Sequence, residues 1–333
     1  MKRLAAAWFA AVCLASAAAS PETCVPCHRT QTQRFAASGM ARALSTGKDS
    51  ALLARHPQLL GQIGRFSYAT DLWGNAPVLT VVDQQEKKVE HAPIQWVFGG
   101  GSVGQTFVFE RGGRWYESLV SYYATLKKLD VTMGAQNFVP HNLQEASGRL
   151  MGAAEVAQCF DCHATGVLKT PALSLASMRE GVQCERCHGA SETHLARRAP
   201  MRKLGALTSE ETSEFCGQCH RTWSQIASGG PRGIQNIRFQ PYRLAISKCF
   251  DAVDRRIGCM ACHDPHSELE TSAAVYDSKC TACHTAADSK PVCKVATKGC
   301  VTCHMPRLEL PGAHRAFTDH KIRVVRPGEA YPD

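Results

Sequence analysis

The chain has 333 residues, of which 44% are hydrophobic and 20% charged, and its formal net charge is +9. This hydrophobic content excludes an intrinsically disordered protein, and the length allows one large or two ordinary domains. Aromatic residues make up only 7%, whereas the 17 cysteines are far above ordinary usage. Covalent or metal-centred chemistry is therefore expected to supplement the packing of side chains.

The first 19 residues have the pattern of a secretory signal peptide. Lys2 and Arg3 precede an apolar run, and Ala17 and Ala19 then stand in the arrangement of a cleavage site. The apolar run is shorter than the roughly 20 residues that span a bilayer, so a cleaved leader is preferred to an uncleaved membrane anchor. Cys13 belongs to this leader. We expect a mature protein that is periplasmic or otherwise exported, and soluble or peripherally membrane-associated.

The pattern CxxCH recurs along the chain and is typical of covalent haem attachment. Two thiols three residues apart can each bond a vinyl group of one porphyrin, and the next imidazole binds the iron. Zinc sites, thioredoxin-like centres and disulfide scaffolds do not need a histidine after every cysteine pair. Seven haem c groups are therefore predicted. Motifs 1 to 7 are Cys24, Cys27 and His28; Cys159, Cys162 and His163; Cys184, Cys187 and His188; Cys216, Cys219 and His220; Cys259, Cys262 and His263; Cys280, Cys283 and His284; and Cys300, Cys303 and His304.

The spacing of the motifs predicts the organisation of the mature chain. A first haem segment at 20–50 precedes a haem-free, β-rich insertion at 51–140. A six-haem cytochrome domain at 141–326 and a short tail at 327–333 follow. Because so many motifs lie in the second region, the haems are expected to supply most of its hydrophobic core.

Strand-like runs lie within the insertion. RFSYAT, APVLTVVDQ, IQWVF, QTFVFE and WYESLVSYY predict a small antiparallel sheet at about 60–125, with a hairpin turn at ERGGR. Gly99, Gly101 and Gly104 match a dinucleotide-binding fingerprint, but a strand rather than a helix should follow, so that reading is rejected. The expected fold class is a mainly α and irregular multihaem cytochrome c, with a small antiparallel β insertion in the N-terminal half.

Seven histidines lie outside the motifs, as many as there are predicted haems. A low-spin electron-transfer haem needs a second axial ligand, usually histidine or methionine. The chain next to a motif already lies on the proximal side, so such a ligand should serve the haem of another motif. The candidate distal histidines are His194, His266, His320, His314 and His141.

Other potential ligands have equally simple alternatives. His91 fits a half-buried strand residue, and His56 is better explained as a solvated helix residue. Met40 is the leading thioether candidate, although an ordinary helix-packing methionine explains it equally well. Cys249 and Cys293 remain outside the motifs and the leader, and they are either a disulfide or two buried thiols.

Several of these segments resemble the multihaem cytochromes related to the cytochrome c-554 family. They are CVPCHRTQTQRFAASGMARAL, GVQCERCHGASETH, FCGQCH, CMACHDPHS, CHMP and DHKIRVVRP, and the likeness covers 24–45 and about 156–326. In that family the histidine after CHG and the one in CHDPH are distal ligands, which implies these roles for His194 and His266. Many relatives have histidine where this chain has Met40, so the distal ligand of the first haem differs or lies elsewhere.

These features predict an electron carrier that passes electrons through closely packed, mostly bis-axially ligated haems. Its partners would be other redox proteins or membrane quinol and cytochrome complexes, and oligomers are compatible with this role. Loss of Lys2 and Arg3 lowers the formal charge from +9 to +7. About two propionates per haem would then make the protein net acidic, which argues against a nucleic-acid partner.

The alternative is a multihaem oxidoreductase with one open haem that acts on a small nitrogen or sulfur compound. The lysine-ligated variant CxxCK, typical of multihaem nitrite reductases, does not occur in the chain. Tyr122 and Tyr123 lie outside the haem-rich region, although a tyrosine crosslink to a porphyrin marks hydroxylamine oxidation in its known family. No catalytic residue is assigned from the sequence.

Overall fold

The structure is a computed structural model that describes residues 20–167, 173–284, 293–326 and 328–332. The predicted signal peptide, with Cys13, lies outside the described residues. Helices make up 34% of the structure and strands 23%, in several antiparallel sheets. The prediction of a mainly α fold is therefore wrong, and the fold is mixed α/β. The expectation underestimated the haem-free stretch, which forms two sheets with a side-chain core of their own.

The helices of the described residues are short, and most of them begin or end near a CxxCH motif. Four 3-10 helices span Pro21–Thr23, Leu204–Ala206, Gly233–Arg238 and Arg255–Ile257. The α-helices are α1 Val25–Ala36, α2 Ala51–Arg55, α3 Leu143–Ser147, α4 Ala153–His163, α5 Cys184–His188, α6 Glu192–Arg197, α7 Ser209–His220, α8 Trp223–Ala227, α9 Gln240–Ala245, α10 Cys259–Cys262, α11 Ala273–His284 and α12 Cys300–His304.

The strands of the described residues concentrate between the first and second motifs. They are β1 Leu44–Thr46, β2 Leu60–Ile63, β3 Phe66–Trp73, β4 Ala76–Asp83, β5 Lys88–Pro93, β6 Trp96–Phe98, β7 Gly104–Arg111, β8 Arg114–Tyr123, β9 Lys128–Val131, β10 Gly148–Leu150, β11 Ala164–Thr165, β12 Arg179–Glu180, β13 Arg307–Leu310 and β14 Arg315–Thr318.

Two antiparallel sheets form the β-rich part. One has the order β2-β3-β4-β5, and the other has the order β1-β6-β7-β8-β10, with β9 paired to β8. Because β1 belongs to the first haem segment and β10 to the segment before motif 2, the larger sheet joins chain from both sides of the haem-free stretch. Gly104 opens strand β7, in agreement with the rejection of a dinucleotide-binding helix start.

The two sheets share one hydrophobic core. In β3, Phe66 and Tyr68 are buried on alternate positions, as expected for a strand with one face on a core. Val97 and Phe107 of the larger sheet belong to the same cluster of buried side chains. Each fully buried side chain of this size stabilises the fold by about 1.5–3 kcal/mol. This region is therefore held by ordinary apolar packing and does not depend on haems for its core.

A second cluster joins the larger sheet to helix α4, which carries motif 2. Phe160 is fully buried, and its ring centroid lies 5.4 Å from that of Trp96, 5.1 Å from that of Phe98 and 5.6 Å from that of Trp115. These are edge-to-face contacts, the favoured arrangement for aromatic pairs. Motif 2 is thus anchored directly to the sheet.

Helix starts in the haem-rich part follow local capping rules. Thr208 precedes α7, its hydroxyl accepts a hydrogen bond from the Glu211 amide at 3.2 Å, and the Glu211 carboxylate accepts one from the Thr208 amide at 2.7 Å. This reciprocal capping box sets the start of the helix that ends in motif 4.

Among the described residues, we find no helix with the length and apolar character needed to cross a membrane.

Candidate haem sites

Each motif lies on or next to a helix, which explains why its three functional side chains converge. In an α-helix, residues at i, i+3 and i+4 share one face, so both thiols and the imidazole of CxxCH point the same way. Motif 5 differs slightly, since α10 ends at Cys262 and His263 follows it in extended conformation. Helix α1 is kinked at His28, which has non-helical backbone angles. The helices that carry the motifs are α1, α4, α5, α7, α10, α11 and α12.

Three motif histidines face a histidine from outside their own motif. The ring centroids of His28 and His194 lie 6.2 Å apart. Those of His188 and His266 lie 5.9 Å apart with planes within 10° of parallel. His263 and His320 are 6.2 Å apart. Bonds of about 2 Å from each imidazole nitrogen to one metal ion place two ring centroids about 6 Å apart. The three pairs therefore fit a haem iron between them.

The pairs also follow the expectation that a distal ligand serves another motif. His194 is only six residues after His188, yet it faces His28 of motif 1. His266 follows motif 5 and faces His188 of motif 3. Each pair thus ties together segments that are far apart in the chain.

Hydrogen bonds set the tautomer of several of these imidazoles. A backbone carbonyl only accepts, so an Nδ1 atom bonded to one carries the proton and leaves the Nε2 lone pair available for a metal. This arrangement supports the fit to haem iron. The Nδ1-to-carbonyl distances are 2.9 Å for His163 to Ala43, 2.9 Å for His188 to Arg202, 2.8 Å for His194 to Ala199, 2.8 Å for His304 to Arg323 and 3.0 Å for His320 to Thr318.

Burial keeps key imidazoles neutral. Burial lowers the pKa of His320 to about 4, and it also lowers the pKa values of His163, His220 and His263. At neutral pH these rings are therefore unprotonated. This is the form in which an imidazole binds a metal.

Comparison with known proteins also points to haem binding by these motifs. The family model described as cytochrome c554 and c-prime matches residues 123–189, which include motifs 2 and 3. Together with the seven CxxCH motifs, this match supports a multihaem c-type cytochrome. Proteins of this class carry covalently bound haem c and transfer electrons. The chain is also similar to a solved structure, the outer cell wall cytochrome OcwA, with a TM-score of 0.57 and 15% identity. That likeness covers 94% of this chain and 80% of the other, and at this identity it concerns the fold. No curated protein matches the chain.

The His320 imidazole is held by residues that the sequence did not indicate. Its neighbour Asp319 forms a bidentate ion pair with Arg243, at 2.9 Å from Nε to Oδ1 and 3.0 Å from Nη2 to Oδ2. Both side chains are fully buried. The Ser247 hydroxyl donates to the His320 carbonyl at 2.9 Å and accepts from the Ile322 amide at 2.8 Å. Residues of α9 and the turn after it therefore hold the backbone on both sides of His320.

Several pairs of motifs touch through their cysteines. The thiols of Cys162 and Cys219 are in hydrogen-bond contact, so motif 2 lies against motif 4. The same contact joins Cys216 of motif 4 to Cys259 of motif 5. Motifs that are distant in sequence are thus adjacent in space, as an electron-transfer chain of haems requires.

Motif 1 is joined to motif 3 in the same way, by contact of the Cys24 and Cys184 thiols. Met40, the predicted thioether ligand, lies near this junction, where its carbonyl accepts a hydrogen bond from the Val182 amide at 3.0 Å. The ring that faces His28 belongs to His194, and Met40 as a thioether ligand stays a prediction.

Two further predicted ligands have other surroundings. The His314 ring lies edge-on to Tyr123 at 4.6 Å, and its Nε2 is 3.3 Å from Asp130 Oδ2. His141 is exposed, and its amide donates to Glu145 at 2.8 Å at the start of α3. Among the described residues, neither ring contacts a motif histidine.

The remaining spare histidines belong to the β-rich part. His56 follows α2 and stacks on Tyr122 at 5.9 Å. His91 lies on β5, packs edge-on against Trp73 at 4.8 Å and hydrogen-bonds to Thr80 at 3.0 Å. Both histidines are exposed, so His91 lies on a strand but is not half-buried, and His56 is solvated but lies just after a helix.

Helix α11, which carries motif 6, supplies the cap of α12, which carries motif 7. Asp277 accepts hydrogen bonds from the Gly299 amide at 2.6 Å and the Val301 amide at 3.3 Å. Burial alone would raise the pKa of Asp277, but these amide donors outweigh burial and lower it below its ordinary value. One carboxylate therefore fixes two haem motifs relative to each other.

No disulfide joins Cys249 to Cys293, both of which lie in the described residues.

Replacing Asp277 with alanine should lower the free energy of unfolding by about 1 kcal/mol, the usual effect of losing a helix cap. Since the folded pKa is depressed, the stabilisation is full above the unfolded pKa of about 3.9 and is lost as pH falls through the folded value. Thermal unfolding of wild type and Asp277→Ala at several pH values measures both effects. Glu214→Ala, on the exposed side of α7, is the control. Equal loss of stability in the two variants at neutral pH would contradict the cap.

Proposed function

We propose that the protein is an exported heptahaem c-type cytochrome that transfers electrons between redox partners through closely packed haems. Seven CxxCH motifs are all present in the described residues, each on or next to a helix. When bound, haem c supplies an iron that cycles between the ferric and ferrous states. The protein residues orient the axial imidazoles, keep them neutral and shield them from water.

The observation that carries this proposal is the set of three facing imidazole pairs. Each pair leaves room for one iron with two histidine ligands, the ligation typical of electron transfer rather than substrate binding. The pairs involve motifs 1, 3 and 5, and thiol contacts link motifs 1 to 3, 2 to 4 and 4 to 5. Short separations between motifs favour rapid electron exchange between the haems that they would carry.

The proposed partners are other redox proteins or membrane quinol and cytochrome complexes, which dock through small transient interfaces. Export is supported by the signal-peptide pattern at 1–19. It is also supported by the fold shared with OcwA, which is described as an outer cell wall cytochrome. Either location would let the protein pass electrons outside the cytoplasm.

A second candidate function is an oxidoreductase with one open haem for a small nitrogen or sulfur compound. This alternative is favoured by the contacts of His314, His141, His56 and His91, which engage other side chains or backbone groups. Three of the seven spare histidines face a motif histidine, so some motifs need another kind of distal ligand or have none.

Haem quantification and spectroscopy test both functions. We expect a pyridine haemochrome assay on the purified holoprotein to give seven haems per chain. We expect low-temperature electron paramagnetic resonance of the oxidised protein to show low-spin signals only, and the reduced protein to bind no carbon monoxide. A substoichiometric high-spin signal with carbon monoxide uptake would instead favour the oxidoreductase. Fewer than seven haems would contradict the heptahaem proposal.

A further inference from the structure

Two arginines near motifs 2 and 4 have no anionic partner in the described residues. Arg238 ends the 3-10 helix Gly233–Arg238, and its Nε atom is buried with no hydrogen-bond acceptor. Its Nη1 atom lies 3.4 Å from the Met133 sulfur, and its guanidinium stacks on the Phe239 ring at 5.2 Å. A thioether and an aromatic ring do not balance a buried positive charge.

Arg221 brings a second positive charge close to Arg238. Burial lowers the pKa of Arg238, and the positive charge of Arg221 lowers it further. Arg221 makes a hydrogen bond of 3.2 Å to the neutral amide of Gln158. Two guanidinium groups thus influence each other, and no carboxylate of the described residues forms an ion pair with either. An anion bound between or beside them would remove the imbalance.

The backbone at Arg221 points to the same site. Arg221 directly follows His220 and has φ of +68°, in the region that favours glycine. Residues other than glycine are held there at a cost in conformational energy, and such strain is concentrated at functional positions. This conformation turns the chain immediately after motif 4. The guanidinium lies near Cys159 and Cys162 of motif 2.

We propose that Arg221 and Arg238 form a carboxylate-binding site that takes a propionate of the haem bound at motif 2 or motif 4. The site deepens the proposed function and rests on it, since it presumes haem at these motifs. Arginine suits this role because its planar fork binds carboxylates with two parallel hydrogen bonds and stays charged when buried. The chemistry would also accept a small soluble oxyanion, which the experiment separates from a propionate.

The test compares reduction potentials of fully loaded holoproteins. Removing one positive charge beside a haem stabilises its ferric form, so Arg238→Gln should lower the reduction equilibrium constant of one or two haems about tenfold, equivalent to about 59 mV. Arg221→Gly should have the same effect, while glycine accepts the positive φ and thermal stability is maintained. Arg238→Lys, which keeps the charge, should restore most of the wild-type potential. Arg232→Gln, an exposed arginine of the preceding turn, is the matched control.

A second arm identifies the source of the anion. Nitrite or sulfite is titrated into the oxidised wild type and Arg238→Gln while the optical spectrum is recorded. A potential shift without an anion response assigns a propionate. A saturable spectral change in wild type that is absent from Arg238→Gln assigns a soluble oxyanion and overturns the propionate. Potentials equal to those of Arg232→Gln, with no anion response, overturn the site.

Haem counting keeps this test separate from the proposed function. If the wild type lacks haem at motif 2 or motif 4, the heptahaem proposal fails before any arginine is tested. If all seven haems are present and Arg221→Gly leaves every potential unchanged, the inference about these arginines fails alone. Arg221→Gly is informative even if Arg238→Gln does not fold, because it relieves backbone strain instead of adding it.

Discussion

Replacing Arg243 with leucine is expected to lower the free energy of unfolding by about 2–5 kcal/mol, because the buried Asp319 carboxylate would lose its bidentate partner and keep only its ion pair with Arg323 at 2.7 Å. The same change should loosen the segment that holds His320, since Asp319 precedes it directly. We therefore expect a new high-spin signal, worth about one haem per chain, in the electron paramagnetic resonance spectrum. Chemical denaturation and carbon monoxide binding to the reduced protein measure the two effects.

Three further variants separate positioning of His320 from a general loss of stability. Arg243→Lys keeps the charge but loses the bidentate geometry, and it should retain more low-spin character than Arg243→Leu. His320→Ala should produce the high-spin haem without removing the ion pair. Arg256→Leu removes a similar but exposed pair with Asp254 and should change neither property.

The outcomes distinguish the ligand from its support. If His320→Ala leaves all haems low-spin, the assignment of His320 to the haem of motif 5 is wrong. If His320→Ala opens a haem but Arg243→Leu destabilises the protein with an unchanged spectrum, the ion pair supports the fold and does not position the ligand.

Replacing Phe160 with alanine is expected to cost about 3–5 kcal/mol, the range for removing a fully buried phenylalanine. Its ring packs edge-on against Trp96, Phe98 and Trp115, so a cavity would open between helix α4 and the larger sheet. We expect amide hydrogen exchange in α4 and around His163 to become faster than in the wild type, and to change more than exchange in the sheet. Denaturant unfolding and exchange measured by mass spectrometry check this result.

Phe138→Ala is the matched control, because Phe138 is 43% exposed and should change stability by no more than about 0.5 kcal/mol. A conservative Phe160→Leu should recover part of the loss, since it refills most of the space. Equal stability of Phe160→Ala and Phe138→Ala would mean that α4 is attached to the sheet by other contacts.

The fold class shows where spacing is a weak guide. Counting cysteine motifs favoured a mainly α and irregular protein, but β1, β9 and β10 are only three or four residues long and carry little pattern of their own. They become strands because β6 and the ten-residue β8 offer unpaired backbone groups beside them. The long runs in β3, β4, β7 and β8 were predicted because stretches rich in β-branched and aromatic residues, bounded by turn residues, are a local signal.

Haem attachment was predictable because CxxCH is a local chemical unit. On a helix, three nearby positions share a face regardless of what surrounds them, so the motif alone indicates two thioether bonds and one axial imidazole. Candidate distal histidines could also be named, since few residue types bind haem iron. His194, His266 and His320 were among them.

The pairing of those histidines depends on contacts between segments that are far apart. His194 faces His28 across more than 160 positions of sequence, and Arg243 meets Asp319 across 76. No local pattern marks Arg243 or Ser247 as supports of a ligand, and none separates His314 from His320. Such contacts arise when helices and sheets pack, because burial then selects which distant groups share a hydrogen bond or an iron.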